Sequence, residues 1–143
     1  MNCSRRDLAL LLPAVAAAQQ PPQKAQKPLL PSKTFAYEEM AVKENGLNKQ
    51  RAVLNGLTHL GTAVELHLTE LGPGQAPHAP HKHTSEELVM LQTGTLEVTI
   101  EGKVTRVTPG SVVYVASNEM HGWKNVGADR AQYFVIALGQ GQG

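Results

Sequence analysis

Cysteine is almost missing from this chain. The one thiol, Cys3, stands ahead of an apolar run near the N-terminus, so the remainder has no disulfide and no thiolate ligand. Any metal site in that remainder is confined to nitrogen and oxygen donors, apart from methionine sulfur. Aromatic residues make up only 4% of the 143 residues, which leaves Val, Leu, Ile and Ala to fill the core. Neither sign of charge dominates. Thirteen Lys and Arg against twelve Asp and Glu give a net charge of +1 and no argument for nucleic acid or an acidic membrane surface. No apolar run reaches the length of a membrane span. After Ala18 no 3.6-residue pattern argues for helices, and no Ser-His-Asp triad, Cys-His pair or phosphate-cradling Gly loop is readable. What remains has room for one domain around one core.

The two ends differ from the middle. Ser4-Arg5-Arg6-Asp7-Leu8 precedes an apolar run from Leu8 to Ala18 that ends in three alanines. Paired arginines, a short apolar region and small residues at its end predict a secretory signal over residues 1–18, of the twin-arginine kind. The expected location is therefore periplasmic or secreted, with no membrane attachment once the signal is removed. Its removal takes two basic residues and one acidic one and leaves no net charge. Residues 19–33 are rich in Pro and Gln and read as a linker. The domain is expected over 34–139, followed by a Gly-Gln tail at 140–143.

Between these ends the period is two. Val64, Leu66 and Leu68 alternate with Glu65, His67 and Thr69, and this strand stops before Gly72-Pro73-Gly74. Leu96, Val98 and Ile100 alternate with polar residues, and Glu101-Gly102 predicts a tight hairpin into Val104–Val107. Pro109-Gly110 is another turn before Val112–Val115. The nearly continuous apolar run Tyr133–Leu138 suits a strand buried on both faces. Turn signals every eight to twelve residues argue for an all-β sandwich or barrel.

Within that pattern lies one concentration of chemistry. His81-Lys82-His83, then Glu87, then the distant His121 offer three imidazoles and a carboxylate, a ligand set for a divalent transition metal. In an extended chain positions 81 and 83 face the same way. Glu87 is four residues beyond His83, about 13 Å along a straight strand. For all of them to reach one ion the chain must bend at Thr84-Ser85-Glu86. Glu86 competes with Glu87 for the carboxylate role, and strand parity alone does not choose between them.

This spacing resembles the cupin superfamily. Its first motif is matched by Gly74, His81-Lys82-His83, Glu87 and Gly94, with one extra residue after the first Gly. Its second motif is matched by Gly110 and by His121-Gly122-Trp123-Lys124-Asn125, although Ser111 stands where many relatives carry Asp. The usual Pro before the His is missing from 116–120. The resemblance covers about residues 60–138. It implies a double-stranded β-helix, the jelly-roll barrel, with His81, His83, Glu87 and His121 as metal ligands. The six-residue interval to Gly94 favours Glu87 over Glu86. It also moves Mn²⁺ and Fe²⁺ ahead of Zn²⁺, Ni²⁺ and Cu²⁺, which the donors alone would accept equally well or better.

The remaining candidates are weaker. His78, between two prolines, is a substitute ligand. His67 either lines the cavity or faces solvent, and His59 is expected at the surface. Trp123, Tyr114 and Tyr133 could wall a substrate site or simply pack, with their polar tips hydrogen-bonded. Gly94, Gly102 and Gly110 are expected in turns. Spacing singles out no general acid: Glu97, Glu119 and the tyrosines stay open. The resulting expectation is an exported metalloenzyme of the dioxygenase, isomerase or lyase type, acting on a small oxygen-rich molecule. A non-catalytic small-ligand or metal-storage module is the alternative. Apolar residues without clean alternation in Phe35–Val53 and a small core predict a homodimer packed through that segment.

Overall fold

A computed structural model describes residues 27–139 of the chain. The expectations for the signal at 1–18, the linker as far as residue 26 and the tail at 140–143 fall outside the described residues. Among those described, the fold is built from nine strands: β1 (Val42–Asn45), β2 (Asn48–Leu57), β3 (Ala63–Leu71), β4 (Glu86–Thr93), β5 (Leu96–Ile100), β6 (Lys103–Val107), β7 (Val112–Val115), β8 (His121–Asn125) and β9 (Ala131–Leu138). A single 3₁₀ turn, Tyr37–Glu39, precedes them, and the described residues contain no α-helix. The strands form a six-stranded sheet in the order β1-β2-β3-β9-β4-β7 and a three-stranded sheet in the order β6-β5-β8. Every strand pairing is antiparallel. This all-β arrangement is the double-stranded β-helix.

The two inner faces meet in one core. Leu71, Val89, Leu91, Leu96, Val115 and Val135 are all at most 4% exposed. Burying each such side chain contributes about 1.5–3 kcal/mol, so alternation of this kind is sufficient to hold the faces together. The Glu101-Gly102 hairpin closes β5 onto β6 with φ of 45° and 78°, the paired positive values of a type I′ turn. The strand Tyr133–Leu138 extends back to Ala131 and runs between β3 and β4. Only its inward face (Ala131, Tyr133, Val135) is buried, and Phe134 and Ile136 on the other face are half-buried, so the expected burial of both faces is not found.

The hairpin β1–β2 is absent from the sequence-based expectation. Its outer strand is exposed throughout, and a register shift between Ala52 and Leu54 breaks the alternation of β2. Pro28–Leu30 then adds to the free part of β2, through Leu30 N–H to the Leu57 carbonyl at 2.9 Å and Leu57 N–H to the Pro28 carbonyl at 2.8 Å. The end of the expected linker is thus part of a sheet edge.

Gly94 turns β4 into β5 at φ 83°, and a Cβ placed there would lie 2.5 Å from the Ala131 Cα. Both the conformation and the contact exclude a side chain. Gly94→Ala is expected to cost about 2–4 kcal/mol, read as a fall in the urea midpoint at unchanged slope. An unshifted midpoint would show that the turn yields freely.

Candidate metal centre

The site lies between the two sheets, and backbone pairing brings its parts together. Residues 74–83 run antiparallel along the free side of β8. Gly74 and Gln75 bond with Asn125 at one end, and His81 exchanges both backbone hydrogen bonds with His121 at the other, at 3.0 and 2.9 Å. Residues opposed in this way carry side chains on the same face. Gly122 permits the approach, since a Cβ there would sit 3.2 Å from Pro80. Within β8, His121, Trp123 and Asn125 point inward and Lys124 outward. A bend at Thr84-Ser85 turns the chain from His83 into β4, as the spacing requires.

His81, His83 and His121 come together so closely that one ligand atom from each lies within 4.8 Å of the others. Glu87 lies against two of them, with Oε1 3.2 Å from His83 Nε2 and Oε2 3.3 Å from His121 Nε2. The choice between the two glutamates is a matter of strand parity in three dimensions. Glu87 shares the inward face of β4 with Val89 and Leu91 and is 6% exposed. Glu86 faces the other way, beside the exposed Tyr114, whose hydroxyl it hydrogen-bonds and whose pKa it raises.

Protons on the imidazoles can be placed from their partners. His83 Nδ1 lies 2.9 Å from the Ser85 carbonyl oxygen, and His121 Nδ1 lies 2.8 Å from that of Glu119. A carbonyl only accepts, so Nδ1 carries a hydrogen in both rings, and in the neutral form of each ring Nε2 offers a lone pair. Those lone pairs face the Glu87 carboxylate. His83 Nε2, His121 Nε2 and Glu87 Oε2 are all buried and have no hydrogen-bond partner. Burial, and then the neighbouring His78, His121 and His83, hold His81 below the ordinary imidazole pKa and so in its neutral, donor-ready form.

Above the cluster opens a cavity of about 320 Å³. His67 lines it, from the polar face of β3, with Glu65 and Thr69 beside it. Trp123 and Tyr133 form part of its wall, with their polar tips joined by a 2.8 Å hydrogen bond from the indole N–H to the phenol oxygen. Burial raises the Tyr133 pKa well above its ordinary value. His78 also lines the cavity, its ring 4.2 Å from that of His81, but it lies outside the close three-histidine group. His59 is at the surface, bonded to the Leu30 carbonyl at 3.1 Å. Neither Glu97 nor Glu119 borders this cavity.

Asn125 has a function that its place in the motif did not reveal. It is fully buried, its amide donating to the carbonyls of Leu71, Gly72 and Asp129 at 3.1, 3.1 and 2.8 Å and accepting from Gly127 N–H at 3.0 Å. It ties the end of β8 to the end of β3, and so one sheet to the other.

The described residues thus form a jelly-roll barrel with three histidines clustered between its sheets. Residues 67–137 match the family model described as the cupin domain, and the barrel has the fold of solved cupin structures. Among curated proteins no sequence relative is found. Solved structures of similar fold include KdgF from a Halomonas species, with a TM-score of 0.64 at 17% identity, over 75% of this chain and 94% of that one. An RmlC-like cupin from Shewanella frigidimarina gives 0.63 at 16% identity, over 76% and 93%. A predicted oxalate decarboxylase from Thermotoga maritima gives 0.63 at 17% identity, over 76% and 100%. At these identities the likeness is one of fold.

Proposed function

We propose that His81, His83, Glu87 and His121 hold one divalent transition-metal ion and that the chain is a metalloenzyme acting on a small oxygen-rich molecule. The observation that carries this reading is the set of buried lone pairs. With the rings neutral, two Nε2 lone pairs face a carboxylate at 3.2 and 3.3 Å, an arrangement that repels unless a cation sits among the donors. Protonating the rings instead would crowd positive charge into imidazoles whose centroids are 4.8–5.0 Å apart. A nitrogen and oxygen donor set accepts Mn²⁺, Fe²⁺, Ni²⁺, Cu²⁺ or Zn²⁺, and we place Mn²⁺ and Fe²⁺ first. When bound, such an ion would supply Lewis acidity toward a carbonyl or enolate, or redox chemistry with dioxygen.

The carbonyls of Ser85 and Glu119 fix the ring orientations, a task that outer partners of metal-bound imidazoles commonly perform. The cavity favours a reaction or binding site over mere metal storage, since storage needs no room beside the ion. Metal content of the purified chain, read by mass spectrometry, is expected to approach one ion per chain. Glu87→Gln should lower it, and Glu86→Gln should leave it unchanged. Equal content in both variants would remove Glu87 from the ligand set. A screen of small hydroxy and keto acids under air and under argon then separates oxygen-dependent from oxygen-independent turnover. No turnover of any of them would favour the binding-module reading.

The partner we propose is a second copy of the chain. The outer side of the six-stranded sheet carries Leu88, Met90, Phe134 and Ile136, all only half-buried, beside Val112 and Tyr114, which are 62% and 53% exposed. Val42 and Leu47, within Phe35–Val53, are also exposed. Light scattering should report a dimer at micromolar concentration, and Val112→Lys with Tyr114→Lys should shift it toward monomer. A wild-type monomer would refute the pairing.

A further inference from the structure

The metal cluster does not use the most unusual polar group of the cavity. His67 lies on the inward face of β3, and its ring lines the cavity. Its Nδ1 is buried without a hydrogen-bond partner and is turned toward Glu65, whose Oε1 is 3.8 Å away. That distance is too long for a hydrogen bond, but the carboxylate's charge favours the tautomer of the neutral ring that turns an N–H dipole toward it, so a hydrogen on Nδ1 is favoured. The lone pair then falls on Nε2, the nitrogen left for the cavity. Burial, opposed by the nearby Glu65 and Glu87 carboxylates, keeps the ring below the ordinary histidine pKa and neutral.

The mouth has the opposite character. Lys43, Asn45, Asn48, Lys49 and Gln50 border it, a concentration of N–H donors. Lys49 is paired with Glu44 at 2.8 Å, whereas Lys43 has no acidic partner among the described residues. Glu65 and Glu87 stand at one level on either side of β9, both registered with Ala137, whose small side chain adds little bulk between them. The 320 Å³ cavity equals roughly ten water volumes of about 30 Å³ each. A fitting molecule is thus small, rich in acceptors at one end and able to donate at the other.

We propose that this cavity is a subsite for small 2-hydroxy acids, with the ligand hydroxyl donating to His67 Nε2, Glu65 orienting that ring, and Lys43 attracting the carboxylate at the mouth. It rests on the metal reading above and deepens it. His67 is then a group that touches the ligand without holding the ion.

The test titrates the Mn²⁺-loaded full chain with glycolate, and with acetate as the hydroxyl-free control, by calorimetry. His67→Leu is expected to weaken glycolate about tenfold while acetate binding and Mn²⁺ content stay as in wild type. Glu65→Gln, which keeps the shape, should weaken glycolate severalfold. Lys43→Gln should weaken both acids. His67→Gln, with its own hydrogen-bonding capacity, gives a second variant should the leucine disturb folding, and should retain part of the glycolate affinity. Unchanged glycolate affinity in His67→Leu overturns the subsite and leaves the metal reading intact. Loss of Mn²⁺ from that variant would make His67 a ligand and also overturn it. A wild-type chain that takes up no Mn²⁺ would bring down the metal reading, and the subsite with it.

Discussion

His121→Ala is expected to abolish stable metal binding, and His81→Ala to do nearly the same. His121 is 1% exposed, its Nδ1 is committed to the Glu119 carbonyl, and its Nε2 has no partner other than what the cluster can hold. The backbone pairing between His81 and His121 does not depend on the side chains, so the strands should stay in place when an imidazole is removed. The loss therefore reports ligation rather than collapse. Losing an outer partner of a metal ligand costs about 10–100-fold in affinity, and loss of a ligand itself should exceed that. Metal content after dialysis against a weak chelator, with circular dichroism to verify the fold, is the measurement. Acidification should release the ion as well, because protons compete for the same imidazole lone pairs. Full metal retention in both variants would take the site away from these histidines.

Asn125→Leu is expected to destabilise the fold by about 3–5 kcal/mol. The substitution takes the Asn125 donor from the carbonyls of Leu71, Gly72 and Asp129, of which Gly72 keeps only the Gln75 N–H, and it takes the side-chain acceptor from Gly127 N–H at the junction of the sheets. Asn125→Asp keeps the shape but turns an oxygen toward carbonyl oxygens, so it should be similarly harmful. Guanidinium unfolding of the three proteins measures this. A change under about 1 kcal/mol for either variant would mean that these hydrogen bonds are readily replaced by water. Since His121 begins the strand that Asn125 ends, loosening this tie should also lower metal affinity.

The two experiments probe features that differ in how far they can be read from the chain itself. Alternation in 64–69 and 96–100, the Glu101-Gly102 turn and the apolar run to Leu138 all depend on neighbours in sequence, and so they mark strands, hairpins and the all-β class. The grouping of His81, His83 and His121 was legible because two of them lie two residues apart in extended chain. The hairpin β1–β2 was not legible, because an exposed outer strand and a register shift after Ala52 erase the period-two signal.

Other features required the third dimension. Glu86 and Glu87 are indistinguishable along the chain, and only the pairing of β4 with β9 and β7 turns Glu87 inward. The alternation of β3 suggested a half-buried strand without saying which face the barrel would enclose. The polar face, with Glu65, His67 and Thr69, lines the interior, while Leu66 and Leu68 lie on the outer side of the sheet. Sequence by itself determined the strand periods, the turns and the set of donors, since these follow from local backbone geometry and residue chemistry. Tertiary structure alone decided which donors face one another, which face of each strand is inside and where Asn125 finds its partners. Those outcomes depend on contacts between distant segments, 54 residues apart for the Asn125–Leu71 bond and farther for the pairing of β3 with β9, and no local pattern encodes them.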